Sequence, residues 1–366
     1  MSGARLEIRL DAISHNTTTM VRRLGERGIS VTAVTKATLG SPAVAATFLA
    51  AGAGALAESR LPNVRRLRRA GIQASVTLLR TPMLSEVDGI VEHCDISCNT
   101  EPEVLAALSV AAVATDRVHG VVLMVELGDL REGIMPNDLC AAAAGVCDLP
   151  GLALRGIGAN LACSSGVVPD EANMAELSAL AGRVEHTSGL ELEIVSGGNS
   201  ANVSWALGPA RVGRINDLRL GEALLLGCDP LDRTPIPGLR TDGATIVAEV
   251  IESGLKPAAP WGTRGANAFG EPPAAVAAAG PVQTIVALGR QDTDPGDLTP
   301  PNGIEIVASS SDHLVLRGAH RVTVGSEMSF RAGYSAVLRS MTSPTVDKVY
   351  LGAESGPAPP SARTAG

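Results

Sequence analysis

No Cys-x-x-Cys pair, apolar leader segment, membrane-length apolar run or excess of basic charge is found in this chain of 366 residues. Each absence removes a class of function. The six cysteines (94, 98, 140, 147, 163 and 228) are scattered. In a chain this long with no secretory signal they argue against a disulfide framework and for a reducing cytosol. The N-terminus carries Arg5, Glu7, Arg9 and Asp11 and has no apolar h-region. The longest apolar stretch, Val104 to Leu127, is interrupted by Asp116-Arg117, so no segment is expected to span a membrane. A formal net charge of -8 and a pI near 5.4 argue against a nucleic-acid or anionic-membrane surface. The one basic cluster, Arg65-Arg66-Leu67-Arg68-Arg69, reads as a solvated helix face. Tyrosine occurs only at 334 and 350, and no spacing points to a metal site.

What is present begins with Val31-Thr32-Ala33-Val34-Thr35-Lys36-Ala37, a short β-branched run with a lysine at its carboxyl end. Gly40-Ser41-Pro42 follows, with Ser41 as N-cap and Pro42 as first helical residue. Lys36 therefore stands where a β/α barrel or an open parallel sheet places its chemistry. A partly desolvated lysine there can form a Schiff base with a carbonyl cofactor; the plain alternative is a strand-end lysine that reaches solvent.

Strand-like and helix-like runs alternate from Arg5–Leu10 to about residue 230, with Leu220–Leu226 read as the last strand. The count is about eight βα units, which closes a (β/α)8 TIM-like barrel; an open doubly wound sheet is the other option. Beyond about Pro235, prolines and glycines become frequent and short alternating runs follow, with no helix longer than two turns expected. The expected organisation is a barrel over 1–232, an all-β domain over 233–351 and a disordered tail over 352–366.

Four further runs look chemical. Glu126-Leu127-Gly128-Asp129-Leu130-Arg131-Glu132-Gly133 ends a strongly apolar strand, and Asn160 with Cys163 ends the next. Either run also reads as an ordinary solvated loop. Ser196-Gly197-Gly198-Asn199-Ser200 follows an apolar strand and opens a helix, a place where backbone can approach an anion such as phosphate. Arg219-Leu220-Gly221-Glu222 comes one segment later. A strand-end lysine, a Gly/Ser cradle and a nearby arginine are the parts of a pyridoxal 5'-phosphate (PLP) site on a barrel.

With those blocks, and with Leu56-Ala57-Glu58-Ser59-Arg60, Ile215-Asn216-Asp217-Leu218, Ala287-Leu288-Gly289-Arg290-Gln291-Asp292, Ser310-Ser311-Asp312-His313-Leu314 and Met341-Thr342-Ser343-Pro344, the chain resembles the alanine/ornithine racemase group of fold-type III PLP enzymes. The resemblance runs from about residue 5 to 351 and is nearer to the ornithine branch. It implies a PLP-binding barrel, a C-terminal β domain, a free amino acid as small-molecule substrate and a cytoplasmic homodimer with shared active sites. It further implies that Lys36 carries the cofactor and serves as one base, that Ser200, the Gly197-Gly198 turn and Tyr334 contact its phosphate, and that Ser196 and Gly221 belong to the same cofactor-binding set. Asn160 falls where alanine racemases place a histidine against the ring. Arg131 matches the arginine that positions the substrate carboxylate, and Arg219 the one that faces the pyridine nitrogen. Because arginine stays protonated, that ring nitrogen should remain neutral, which makes the ring a weak electron sink and favours reprotonation over transamination.

Two departures stand out. The region matching the C-terminal tyrosine base of alanine racemases, about Trp261–Phe269, contains no tyrosine, and Met124 replaces a lysine carbamylated in some relatives. Asp312 and His313 are the first candidates for the second base, with Cys163 behind them, unless the pair merely orders a loop. Glu126, Asp129, Glu132, Asp292 and Asp312 are read as an acidic mouth, with Asp292 a candidate substrate contact, that would favour ornithine or another basic or polar substrate. The alternative is that these carboxylates pair with Arg131, Arg219 and Arg290. Competing functions are a fold-type III decarboxylase or aldolase, or a non-catalytic PLP-binding protein.

Overall fold

The computed structural model describes residues 3–272 and 280–352; the tail expected over 352–366 lies, but for Gly352, outside the described residues. Eight parallel strands close a barrel in chain order, β2 to β9. They are β2 (Ser30–Val34), β3 (Ala55–Glu58), β4 (Val76–Leu78), β5 (Ile96–Asn99), β6 (His119–Val125), β7 (Leu152–Ala159), β8 (Ile194–Ser196) and β9 (Asp217–Leu220). Closure is made by β2 on β9, with Thr32 opposite Arg219 and Ala33 opposite Leu220. These strands are nearly continuous in apolar or small residues because both faces are covered, by barrel filling inside and helices outside. All seven residues of β6 are buried.

The first strand-like run behaves differently. β1 (Arg5–Arg9) lies outside the barrel and joins a second sheet, antiparallel to β10 (Ala244–Leu255) and parallel to β16 (Asp347–Leu351). Its strict polar/apolar alternation is the mark of a strand with one wet face. The rest of that sheet is β11 (Val282–Val286), β12 (Leu298–Thr299), β13 (Ile304–Ser309), β14 (Leu314–Gly318) and β15 (Glu327–Ala332), in the order β12-β15-β10-β11-β14-β13. The twelve residues of β10 let β1 and β11 share one edge while β15 takes the other.

Two expectations are corrected. The C-terminal region contains a helix of nine residues, Tyr334–Thr342, packed against the turn that holds Lys36. Its start is tied by Asp297, whose carboxylate accepts from the Ser335 and Ala336 amides at 2.6 and 3.3 Å. The run Leu220–Leu226 is also not one strand: β9 stops at Leu220, and Glu222–Leu226 is helical, ended by Gly227 in the left-handed region at φ 67°. An apolar run of that length has no periodicity that separates strand from buried helix. The main core runs through the barrel, the helical layer and the second sheet, and Cys98, Val122 and Met124 form a small separate cluster in the barrel.

Candidate active site

The carboxyl ends of the barrel strands surround a cavity of about 610 Å³. Lys36, Asn160, Ser200, Arg219, Gly221, Tyr334 and Arg131 all line it, so these residues, spread over three hundred positions, are brought to one place. The loops that do this are strained. Among the described residues five non-glycine residues have positive φ; Leu39, Leu130 and Ala162 lie in segments that follow barrel strands at this end, and Arg233 in the turn after the helix Glu222–Leu226. Left-handed backbone costs a non-glycine residue roughly 1 kcal/mol, and it persists where surrounding contacts hold it.

Lys36 sits just past β2, at the start of a one-turn helix over Lys36–Thr38. The chain has three lysines. Lys256 pairs with Glu252, and Lys348 donates to the Ser343 and Val346 carbonyls. Lys36 alone lines the cavity and makes no hydrogen bond or ion pair with a described residue. Ser41 occupies the N-cap position as expected, but its hydroxyl donates to Tyr350 at 2.8 Å instead of capping the helix. Glu58 is fully buried beside this strand, accepts from Thr35 Oγ1 at 3.0 Å and from the Ser59 amide at 2.7 Å, and burial lifts its pKa.

Arg219 is held rigidly. It is 6% exposed, donates to the Ala159 carbonyl at 2.7 Å and to Ser196 Oγ, and Ser196 in turn donates to Asp217 at 2.5 Å. Asp217 also accepts from Thr32 Oγ1 at 2.6 Å, so the arginine's charge is balanced through a chain of hydrogen bonds. Ser196 is therefore a brace for Arg219, and it does not line the cavity. Gly197 and Gly198 do not line it either. Their role is close packing: a Cβ on Gly197 would meet Ile215 at 2.8 Å and one on Gly198 would meet Asn202 at 2.2 Å. That packing places Ser200, whose Oγ accepts from the amides of Gly221 and Ala223 at 3.3 and 3.1 Å and keeps its own proton to donate. Tyr334 reaches the same wall from the second sheet's helix, and burial raises its phenol well above the ordinary range, so it remains a donor.

The loop after β6 is stapled from within. Asp129, 1% exposed, accepts from the amides of Cys163, Ser164 and Ser165 at 3.3, 2.9 and 3.1 Å. Glu126 accepts from the amides of Gly128 and Leu130 at 2.5 and 3.1 Å. Arg131 is clamped by both oxygens of Glu132 and donates to Cys163 Sγ at 2.8 Å.

The acidic mouth is accordingly smaller than the sequence indicates. Of its five carboxylates only Glu132 lines this chain's cavity. Asp292 lies elsewhere, accepting from the Gly289 amide at 2.9 Å and from Thr345 at 2.7 Å. Asp312 and His313 form an exposed turn between β13 and β14, with Asp312 Oδ1 3.0 Å from His313 Nδ1, and neither lines the cavity of its own chain. That turn packs backbone to backbone on Gly289, where a Cβ would meet the Ser311 carbonyl at 2.2 Å. Cavity residues outside the runs singled out in the sequence include Arg80, Thr81 and Arg233, and Glu222, quoted only as the end of the Arg219 run, also lines it.

The lining suits PLP. Lys36, Arg80, Arg131, Arg219 and Arg233 face only Glu132 and Glu222, a surplus of positive charge that a phosphate and an α-carboxylate would balance. Thr81 Oγ1 and Asn160 Nδ2 are buried in this wall with no hydrogen-bond partner among the described residues. Buried polar atoms of that kind are rare unless a ligand or water completes them. No group of three or more His, Cys, Asp or Glu among the described residues is arranged to hold a metal ion, and no described helix is long and apolar enough to cross a membrane.

Comparison with known proteins agrees with this geometry. Residues 8–229 match the alanine racemase N-terminal domain. The lysine racemase of Thermotoga maritima is 38% identical over 350 residues, covering 94% of this chain and 98% of that one. The ornithine racemase of Acetoanaerobium sticklandii is 37% identical over 300 residues, covering 81% and 84%. The crystal structure of alanine racemase from Streptomyces lavendulae superposes with a TM-score of 0.74 at 20% identity, covering 97% of this chain and 98% of that one.

Proposed function

The chain belongs to the alanine racemase family, whose enzymes depend on PLP, and on that premise we propose that it racemises a free diamino acid, ornithine or lysine, in the barrel-mouth cavity. The observation that carries the reading is Lys36, the one lysine without a partner among the described residues, facing Arg219, Asn160, Ser200 and Tyr334 across one cation-rich cavity. The relatives matching most of the chain are racemases, which favours that reaction over decarboxylation or aldol cleavage.

When bound, the cofactor acidifies the substrate Cα–H by drawing electron density into its ring. Lys36 would hold it, Ser200, Gly221 and Tyr334 would take its phosphate, and Arg219 would face the ring nitrogen. Asn160, whose Oδ1 accepts from Asn199 Nδ2 at 3.1 Å and whose Nδ2 has no partner among the described residues, would lie against the ring. Arg131, fixed by Glu132, orients the substrate carboxylate. The Lys36 amine moves the proton on one face of Cα, and a second side chain moves it on the other.

Neither Asp312 nor His313 lines the cavity of its own chain, so in this scheme they act across a homodimer interface; Cys163 is the alternative within the chain. Six free cysteines support a reducing, cytoplasmic setting. Chiral chromatography of L- and D-ornithine, lysine, serine and alanine after incubation with the PLP-loaded protein tests the proposal. Interconversion is expected, fastest for ornithine or lysine; none for any amino acid refutes it.

A further inference from the structure

We propose that Glu222 reads the substrate side chain: its carboxylate takes the distal ammonium of a diamino acid, and the Arg233 guanidinium holds that place until substrate arrives. The inference rests on the racemase reading and deepens it. A cavity already rich in cations disfavours another one unless a carboxylate receives it, because an unpaired buried ammonium is costly. Among the described residues only Glu132 and Glu222 line the cavity with negative charge. Both oxygens of Glu132 are taken by Arg131. Glu222 is bound by Arg233 through Oε1 alone, and its Oε2 receives no hydrogen bond from a described residue.

The two partners differ in how they are held. Glu222 is 12% exposed at its side chain and opens the helix Glu222–Leu226, whose next four residues are all buried, so it cannot retreat. Arg233 is 59% exposed, and among the described residues its guanidinium binds only Glu222. Its backbone is fixed in a turn at φ 63°, with Arg233 N–H donating to the Asp229 carbonyl and Asp229 N–H to the Thr234 carbonyl, both at 2.9 Å. Asp229 anchors that turn by accepting from Ser204 Oγ at 2.7 Å. The guanidinium can therefore swing into water while the turn stays in place. Burial, with smaller contributions from the negative charges of Asp297 and Asp229, holds the Glu222 pKa above the ordinary range against the pull of Arg233. An uncharged side chain would leave the Glu222–Arg233 pair closed and gain nothing from it.

The test compares wild type, Glu222→Gln and Arg233→Gln on L-ornithine and on L-norvaline, which has the same carbon chain without the distal ammonium. The readouts are kcat/KM and calorimetric binding, with melting temperature and bound-cofactor absorbance as checks of folding. Glu222→Gln should lower the ornithine-to-norvaline ratio by about tenfold or more, chiefly through KM, as expected for losing one charge-assisted hydrogen bond. Arg233→Gln should raise the ratio, because the competing cation is gone. An unchanged ratio in both variants, or equal losses for both amino acids, overturns the proposal and leaves the pair a structural brace. If Glu222→Gln does not fold, Arg233→Gln decides alone: a ratio that fails to rise overturns it. If wild type racemises nothing, the racemase reading fails by itself, and the calorimetric ratio still tests Glu222.

Discussion

Replacing Asp129 by alanine should damage the fold of the cavity wall and leave the choice among substrates alone. Asp129 is 1% exposed, and its carboxylate is the acceptor for three successive amides, those of Cys163, Ser164 and Ser165, at 3.3, 2.9 and 3.1 Å. A hydrogen bond to a charged group contributes about 1.5–3 kcal/mol when no water can replace it. Here Cys163, Ser164 and Ser165 are exposed, so the freed amides rehydrate and the three bonds together are worth less than their sum. Asp129→Ala should therefore cost about 2–4 kcal/mol, and Asp129→Asn, which keeps an acceptor oxygen, roughly half as much. Ala162, held at φ 57° next to the staple, should relax, taking Cys163 away from Arg131. Urea denaturation of the cofactor-loaded protein measures the stability, and kcat/KM for ornithine and alanine measures the consequence, which should be a similar loss for both. Unchanged stability with a loss confined to ornithine would refute the staple and restore Asp129 to the substrate.

Two further predictions follow from the geometry. His119 is 2% exposed with Nε2 2.7 Å from Ser97 Oγ, and burial pushes its pKa from 6.5 down to about 4. The folded value lies below the unfolded one, so the unfolded chain takes the proton first as pH falls; stability complete above 6.5 should decline towards 4 by up to about 3 kcal/mol. His119→Gln should flatten that part of the pH profile, and parallel profiles for variant and wild type would contradict it. For the second base, mixing Lys36→Ala with His313→Ala subunits should restore activity in the heterodimer, where one site carries both intact groups; no restoration in heterodimers shown to form would exclude His313 as a base acting across the interface.

Much of the site is legible in sequence because barrel chemistry gathers at strand ends, and Lys36, Asn160 and Ser200 each follow an apolar strand closely. The direction of a loop side chain is not legible. Asp129 and Glu126 look the same in sequence as Glu132, yet the first two turn inward to bind amides and only the third meets the cavity. The sequence shows Glu222 at the end of the Arg219 run but not its direction, because Leu220–Leu226 reads as one strand, whereas the helical start puts Glu222 at the mouth. The placement of β1 had a usable signal: its alternation differs from the continuous burial of the barrel strands. The helix Tyr334–Thr342 had a weaker one, an apolar stripe only two turns long.

The central claim is that this cavity works through Lys36. Borohydride reduction of the PLP-loaded protein, followed by proteolysis and mass spectrometry, tests it directly, because the chain offers only Lys36, Lys256 and Lys348. The account predicts a pyridoxyl phosphate adduct on the peptide containing Lys36 and its loss in Lys36→Ala. An adduct on Lys256 or Lys348, or none on any lysine, would contradict it.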